Sequence, residues 1–204
     1  MELQEHLGGH DNKTHVDVAT TNWLKHEHDV KSILDIGCGP GGMSQVCASM
    51  GIEWLGVDGD QTVLPEENTL LHDFTIGPPK IERTFDCVWS VEFLEHVEEK
   101  YIDNFMKAFQ LSTNIVVVTA APPGWPGHHH VNCQLPEYWI EVFDNYGFEY
   151  SEDLTDTVKV ISSMRKPFLQ KNGMVYLKNR GLLLCQKYQL PFLHVNRKEE
   201  EQSL

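Results

Sequence analysis

The amino-acid sequence lacks long apolar runs and has few cysteines for its 204 residues. No stretch approaches the ~20 apolar residues that a transmembrane helix needs, and the N-terminus lacks the basic start and apolar core of a signal peptide. The five cysteines are scattered and odd in number, which favours free thiols in a reducing compartment over a disulfide framework. We therefore expect a cytoplasmic protein with no membrane partner.

Positive charge is also scarce. Sixteen Lys and Arg residues stand against 30 Asp and Glu residues, which gives a formal net charge of −14. A surface of this sign repels a phosphate backbone, because nucleic-acid-binding proteins gain affinity from clustered Lys and Arg. One part of the chain does concentrate basic residues: Arg165, Lys166, Lys171, Lys178 and Arg180. On balance the composition argues against a nucleic acid partner.

Short β-type runs alternate with helical patterns, which is typical of a mostly parallel sheet covered by helices on both faces. The predicted strands are residues 31–36, 53–57, 69–72, 85–89, 114–120, 148–151 and 181–186. The first helix is predicted to start near Thr14, with a capping box that ends at Asp17. Apolar stripes predict further helices over 43–50, 97–109 and 136–146. We predict one domain over residues 1–190, with an N-terminal cap segment and first helix over 1–29, and a charged, frayed tail over 191–204.

The strongest motif is the glycine-rich segment Asp-Ile-Gly-Cys-Gly-Pro-Gly-Gly at residues 35–42. Glycine lets the backbone turn sharply where a Cβ would clash with a ligand, and the following helix points free N–H groups over the turn. Gly37, Gly39 and Gly42 satisfy the dinucleotide pattern G-x-G-x-x-G, which is weak evidence by itself. A glycine-rich turn without a ligand is the alternative.

Acidic residues near this turn help to distinguish a dinucleotide ligand from S-adenosylmethionine. Asp58 ends the second predicted strand, where a ribose diol needs an acceptor, and Asp60 is the alternative for this role. Dinucleotide-binding enzymes place an acid there too. Asp35 is more specific, because a carboxylate beside the turn would repel a pyrophosphate but suits the cationic ammonium and sulfonium groups of S-adenosylmethionine.

Four segments in order carry a resemblance to a known family: residues 34–42, 56–60, 71–74 and 85–97, the last containing Leu-Glu-His-Val. Together they resemble motifs of the class I S-adenosylmethionine-dependent methyltransferases, in particular the small-molecule group with a methyltransferase type 11 pattern. The resemblance covers about residues 30–120. It implies a Rossmann-like α/β fold with a seven-stranded sheet in the order 3-2-1-4-5-7-6, strand seven antiparallel, and helices on both faces.

The resemblance also implies, residue by residue, which positions bind the methyl donor. These are Asp35, Gly37, Cys38, Gly39, Asp58, Gly59, Asp73, Phe74, Ser90 and Glu92. Asp73 and Phe74 would flank the adenine, whereas Ser90 and Glu92 would lie near the methionine moiety and the site of transfer. Glu95 and His96 follow in the same motif, and their alternative interpretation is a helix N-terminus enriched in carboxylates.

The predicted fifth strand is followed by Pro-Pro-Gly-Trp-Pro-Gly-His-His-His-Val-Asn at residues 122–132. In the resembling family this position feeds the acceptor pocket, so we predict His128, His130 and Glu92 as catalytic candidates. A metal site and a solvated loop are the alternatives. We assign no metal site, because adjacent loop residues usually point apart and ligands must converge. His10 and His15 either cap the donor site or belong to a loose terminus.

The predicted activity is methyl transfer from S-adenosylmethionine to an oxygen or nitrogen of a small-molecule or sugar-like acceptor. An NAD(P)-dependent oxidoreductase is the first alternative, but the sequence shows no Tyr-x-x-x-Lys pair for hydride chemistry. A catalytically silent donor-binding module is the second. The sequence leaves the acceptor, the methylated atom and the oligomeric state open.

Overall fold

Seven strands form one sheet in a computed structural model that describes residues 6–7, 9–10, 12–62 and 67–179. The strands are β1 (Ser32–Ile36), β2 (Glu53–Asp58), β3 (Thr69–Leu71), β4 (Phe85–Ser90), β5 (Ser112–Thr119), β6 (Phe148–Tyr150) and β7 (Gly173–Lys178). Their order is β3-β2-β1-β4-β5-β7-β6. All neighbours are parallel except that β7 runs antiparallel to both β5 and β6. The predicted strand order and the antiparallel seventh strand are confirmed.

The helices are α1 (Val18–His28), α2 (Met43–Ser49), α3 (Ile102–Phe109), α4 (Pro136–Asn145), α5 (Glu152–Ile161) and α6 (Phe168–Asn172). They cover both faces, because successive side chains of a strand point to opposite sides. On β5, Val116 and Val118 pack in the cluster that contains residues of α3 and α4. Ile115 and Val117 pack in the other cluster, with residues of α1, α2, α5 and α6. All four are fully buried, as expected for a central parallel strand.

Several element bounds differ from the predictions. The first helix begins at Val18 and not near Thr14, because the buried carboxylate of Asp17 caps it by accepting from the Thr20 N–H at 2.9 Å. The strand predicted at 181–186 lies outside the described residues. Gly173–Lys178, with four successive buried residues, pairs with β5 instead.

The segment predicted as one helix over 97–109 is helical only from Ile102. Two short 3-10 turns, Leu94–His96 and Glu99–Tyr101, come before it. Neither α5 nor α6 was predicted. Among the residues that the structure describes, no helix has both the length and the apolar character needed to cross a lipid bilayer.

Candidate active site

The glycine turn lies where β1 ends, at the edge that also holds the carboxyl ends of β2, β4 and β5. Gly37 has φ +74° and Gly39 has φ +50°, a left-handed conformation that glycine adopts without strain. The N–H of Gly37 donates to the carbonyl of Val57 at 2.8 Å, which fixes the turn against β2. A Cβ on Gly37 would come within 2.8 Å of the Phe93 ring. Backbone conformation and close packing therefore both require glycine here.

Asp58 supports this turn from the end of β2. Its Oδ2 accepts from the Gly39 N–H at 2.8 Å, and its Oδ1 accepts from the Asp60 N–H at 2.9 Å. Asp60 does not line the cavity described below. Its carboxylate accepts from the N–H and hydroxyl of Thr62 and contacts His10 at 3.0 Å. The structure thus places Asp58, and not Asp60, where a bound ligand can reach a carboxylate.

Asp35 is almost completely buried, with 3% of its surface exposed, just before the turn. The indole Nε1 of Trp54 donates to its Oδ2 at 3.1 Å. Burial raises the pKa of Asp35 to about 7, because the charged form loses its hydration. A cation beside Asp35 would recover part of that lost stabilisation.

One cavity of about 400 Å³ opens above these residues. Nine of the ten residues predicted to bind the donor line it: Asp35, Gly37, Cys38, Gly39, Asp58, Gly59, Asp73, Phe74 and Glu92. The tenth, Ser90, is fully buried and does not line the cavity; its hydroxyl donates to the carbonyl of Ile36 at 2.9 Å and ties β4 to β1. For Cys38, the sulfur packs inward: a Cβ on Gly56 would lie 2.6 Å from it.

The described residues near the N-terminus cover the end of the cavity that holds Gly59 and Asp73. Leu7 packs on Gly59, and His6 Nε2 lies 2.9 Å from Asp73 Oδ2. The other oxygen of Asp73 accepts from the Thr75 N–H at 2.8 Å. An adenine amine that bound Asp73 would therefore share this carboxylate with His6. His10 and His15, the two histidines considered as caps, both line the cavity.

Glu92 marks the other side of the cavity, directly after β4. It has φ +54°, an uncommon conformation for a residue with a side chain. The Thr119 hydroxyl holds it there by accepting from the Glu92 N–H at 2.8 Å and donating to Oε1 at 2.9 Å. Burial raises the pKa of the Glu92 carboxyl. Such strained and perturbed residues cluster at functional sites.

The histidine loop, which we define as residues 125–130 after β5, also faces the cavity. His128, His129 and His130 all line it. The loop is anchored: the next two backbone N–H groups, of Val131 and Asn132, donate to the carbonyl of Glu95 at 2.9 and 3.0 Å. The loop therefore has a fixed place beside the turn Leu94–His96.

Some lining residues were not predicted. Lys13, Lys166 and Phe168 reach the cavity from parts of the chain without a recognisable motif. Thr14 was predicted to start the first helix but does not cap it: its hydroxyl accepts from the Gly42 N–H at 2.9 Å, in the glycine turn.

Comparison with known proteins agrees with this geometry. The profile of the family described as "Methyltransferase domain" matches residues 16–153. The chain belongs to that family. The sheet order and the glycine turn place it in the class I group, whose methyl donor is S-adenosylmethionine.

A curated relative is the ubiquinone biosynthesis O-methyltransferase of Pelagibacter ubique (strain HTCC1062), 30% identical over 84 residues. That match covers 37% of this chain and about a third (34%) of the relative. The fold is similar to magnesium protoporphyrin IX methyltransferase from Synechocystis PCC 6803, with a TM-score of 0.57, 15% identity, and coverage of 79% of this chain and 77% of that one. It is also similar to a sugar N-methyltransferase from a Streptoalloteichus species, with a TM-score of 0.58, 9% identity, and coverage of 79% and 85%.

The residues present fit S-adenosylmethionine. At Gly39 there is room beside the backbone, since the described atom nearest to an added Cβ would belong to His10, at 3.6 Å. Asp35 and Asp58 line the same wall, so the wall offers carboxylates to a cationic ligand. A volume of about 400 Å³ falls within the range of small-molecule sites.

Proposed function

We propose that this chain transfers a methyl group from S-adenosylmethionine to an oxygen or nitrogen of a small-molecule acceptor. The observation that carries the proposal is that one cavity joins the glycine turn to Glu92 and the histidine loop. A donor held at the turn and an acceptor held at the loop would share one space. In-line transfer needs little more than this positioning.

The donor side would use residues at the ends of β1, β2 and β3. Gly37 and Gly39 would line the methionine and ribose portions, and Asp58 would accept from the ribose hydroxyls while it keeps its bond to Gly39. Asp35 would balance the positive charge of the donor. When bound, S-adenosylmethionine supplies an electrophilic methyl group on a sulfonium.

On the acceptor side, Glu92, His128 and His130 are the groups that would hold or remove a proton. A general base is needed when the acceptor is a hydroxyl. Glu92 suits this task, because burial raises the pKa of its carboxyl and Thr119 fixes one of its oxygens. Oxygen is also the atom methylated by the Pelagibacter relative, as its name states.

A small acceptor fits the rest of the chain. The formal net charge of −14 disfavours a polyanionic substrate. The free cysteines Cys38, Cys47, Cys87 and Cys133 are consistent with a reducing, cytoplasmic location. We further propose that residues 1–190 act as one domain, in which residues 1–29 comprise the N-terminal cap segment and the first helix.

Calorimetric titration with S-adenosylmethionine, S-adenosylhomocysteine and NAD, run side by side, tests the donor assignment. We expect S-adenosylhomocysteine to bind at micromolar affinity or better and to raise the melting temperature, as any ligand of the native state does. Binding of NAD without binding of S-adenosylhomocysteine would overturn the proposal. Transfer of a labelled methyl group to a panel of phenols, sugars and amines then separates an active enzyme from a silent donor-binding module.

A further inference from the structure

A set of potential metal ligands lies beside the proposed transfer site. Glu95 and His96 come from the turn Leu94–His96 after β4, and His130 comes from the histidine loop after β5. One ligand atom from each residue lies within 4.8 Å of the other two. A tetrahedral ion with bonds of about 2.0–2.2 Å holds its ligands roughly 3.3 Å apart. Small side-chain rotations would therefore bring the three atoms to one ion.

The buried carboxyl group of Glu95 is the second observation that indicates a cation. Glu95 is fully buried, and neither of its carboxylate oxygens makes a hydrogen bond of normal geometry among the described residues, although the Glu92 carboxyl and the Ala121 N–H lie close to it. A buried carboxyl group in such a place is either kept neutral or paired with a cation. A divalent cation at this place would satisfy both oxygens.

His96 and His130 each have a ring nitrogen that can bind a metal ion. His130 Nδ1 lies 2.9 Å from the carbonyl of Trp125, and since a carbonyl only accepts, Nδ1 carries the proton. Its Nε2 lone pair is therefore free for a ligand. This arrangement, in which a backbone carbonyl fixes the tautomer, is the usual one for histidines bound to metals. The Nδ1 atom of His96 is buried and has no hydrogen-bond partner within the described part of the chain.

The scaffold around the three residues is rigid. The N–H groups of Val131 and Asn132 hold the Glu95 carbonyl, and the Asn132 side chain donates to the carbonyl of Val97 at 3.1 Å. The rings of His96 and His130 stand edge to face, with centroids 4.9 Å apart. Sites for metals need this kind of support, because the ligands must be held in place before the ion binds.

We propose that Glu95, His96 and His130 bind a divalent transition-metal ion, Zn²⁺ being the best match. Two imidazoles and one carboxylate form a ligand set that favours such ions over Mg²⁺ and Ca²⁺, which prefer oxygen. His96 and His130 also line the cavity, so the remaining coordination positions would face the acceptor. If the proposed function holds, the ion would bind the acceptor oxygen and lower its pKa. With Nε2 of His130 bound to the ion, Glu92 or His128, and not His130, would take the proton.

Metal binding is tested without donor or acceptor, so that its failure is distinct from failure of the proposed function. The full chain is freed of metal with EDTA and titrated with Zn²⁺, Co²⁺ and Mg²⁺, while S-adenosylhomocysteine affinity is measured in parallel. We expect one equivalent of Zn²⁺ to bind at micromolar affinity or better, Mg²⁺ to bind at least a hundredfold more weakly, and Co²⁺ to produce visible absorption bands of a site with nitrogen ligands. Absence of Zn²⁺ binding, or of those bands, overturns the proposal.

Variants locate the ion. His130→Ala and Glu95→Gln are each expected to weaken Zn²⁺ binding at least tenfold, whereas His129→Ala, in the same loop, should change it less than threefold. Glu95→Gln keeps the shape of the buried side chain and so guards against loss of folding, which circular dichroism checks. Equal Zn²⁺ affinity in the parent, Glu95→Gln and His130→Ala proteins would place the ion elsewhere and refute the assignment.

Discussion

The backbone N–H of Gly39 donates a 2.8 Å hydrogen bond to the carboxylate of Asp58. This contact joins the glycine turn after β1 to the end of β2, 19 residues later in the chain. It holds the turn open beneath the cavity and fixes the carboxylate beside it. The two features that the sequence associated with an adenosine ligand are therefore one structural unit.

Asp58→Asn should weaken S-adenosylhomocysteine binding by about 1.5–3 kcal/mol, the usual worth of a hydrogen bond to a charged acceptor. Asp60→Asn is the matched control, because Asp60 itself does not line the cavity and its carboxylate is occupied by Thr62 and His10. The affinity of the Asp60→Asn protein for S-adenosylhomocysteine should stay within about threefold of the parent's, a change in binding free energy of under about 1 kcal/mol. Isothermal titration compares the three proteins, and a larger loss for Asp60→Asn would reverse our assignment of the ribose acid.

Donor affinity should rise with pH through neutrality. Burial raises the pKa of Asp35 to about 7, and the ammonium group of S-adenosylhomocysteine favours the ionised carboxylate. Binding therefore releases a proton from Asp35 below pH 7 and is weaker there. Titrations at pH 6 and pH 8 measure the effect. Asp35→Asn should remove most of the difference, and an equally steep dependence in that variant would exclude Asp35 as its source.

The same carboxyl should affect stability without ligand. Because the pKa is higher in the folded chain than in the unfolded chain, the native state binds more protons between about pH 4 and pH 7. The contribution of Asp35 to the free energy of unfolding is full below that window and is lost as the pH rises through it, by on the order of 4 kcal/mol. Urea denaturation at pH 5 and pH 8 should show a smaller loss for Asp35→Asn than for the parent. Parallel losses would contradict the assigned pKa.

Asp17→Ala should destabilise the fold by about 2–4 kcal/mol. Its buried carboxylate caps α1 and also accepts from the hydroxyl of Ser162 and from the N–H and hydroxyl of Ser163. These contacts join α1 to the end of α5. Asp156→Ala, an exposed change on α5, should cost less than about 0.5 kcal/mol. Thermal or urea unfolding measures both, and similar values would show that the Asp17 contacts contribute little.

Gly127→Ala should displace the ring of His130. An added Cβ would clash with His130 Nε2, and Gly127 does not require a positive φ. Gly124→Ala is the control: its Cβ meets no atom of the described residues within 4 Å, although its φ of +83° strains the backbone. NMR spectra of the histidine rings should show the His130 signals shifted in the first variant alone. Unmoved signals in Gly127→Ala would mean that the loop is looser than its hydrogen bonds indicate.

The sequence by itself predicted six of the seven strands and the glycine turn at the edge of the sheet. The β-type runs, the left-handed glycines and the acid at the end of β2 are local features, since each depends on a few neighbouring residues and on the conformations these allow. The same locality explains the errors. The Thr14 hydroxyl does not cap α1 because it accepts from the Gly42 N–H, 28 residues away. The carboxylate that does cap α1, that of Asp17, is also held by Ser162 and Ser163, 145 and 146 residues away. No window of sequence contains them.

Tertiary structure alone decided which side chains meet. The Ser90 hydroxyl donates to the Ile36 carbonyl, and Ser90 does not line the cavity. Glu95 and His130 come together only because β4 and β5 are adjacent in the sheet and the loop after β5 turns back onto the carbonyl of Glu95. Periodicity predicts which residues form a strand and which way each side chain points. It does not predict the path of an irregular loop, because that path depends on hydrogen bonds with segments distant in the chain.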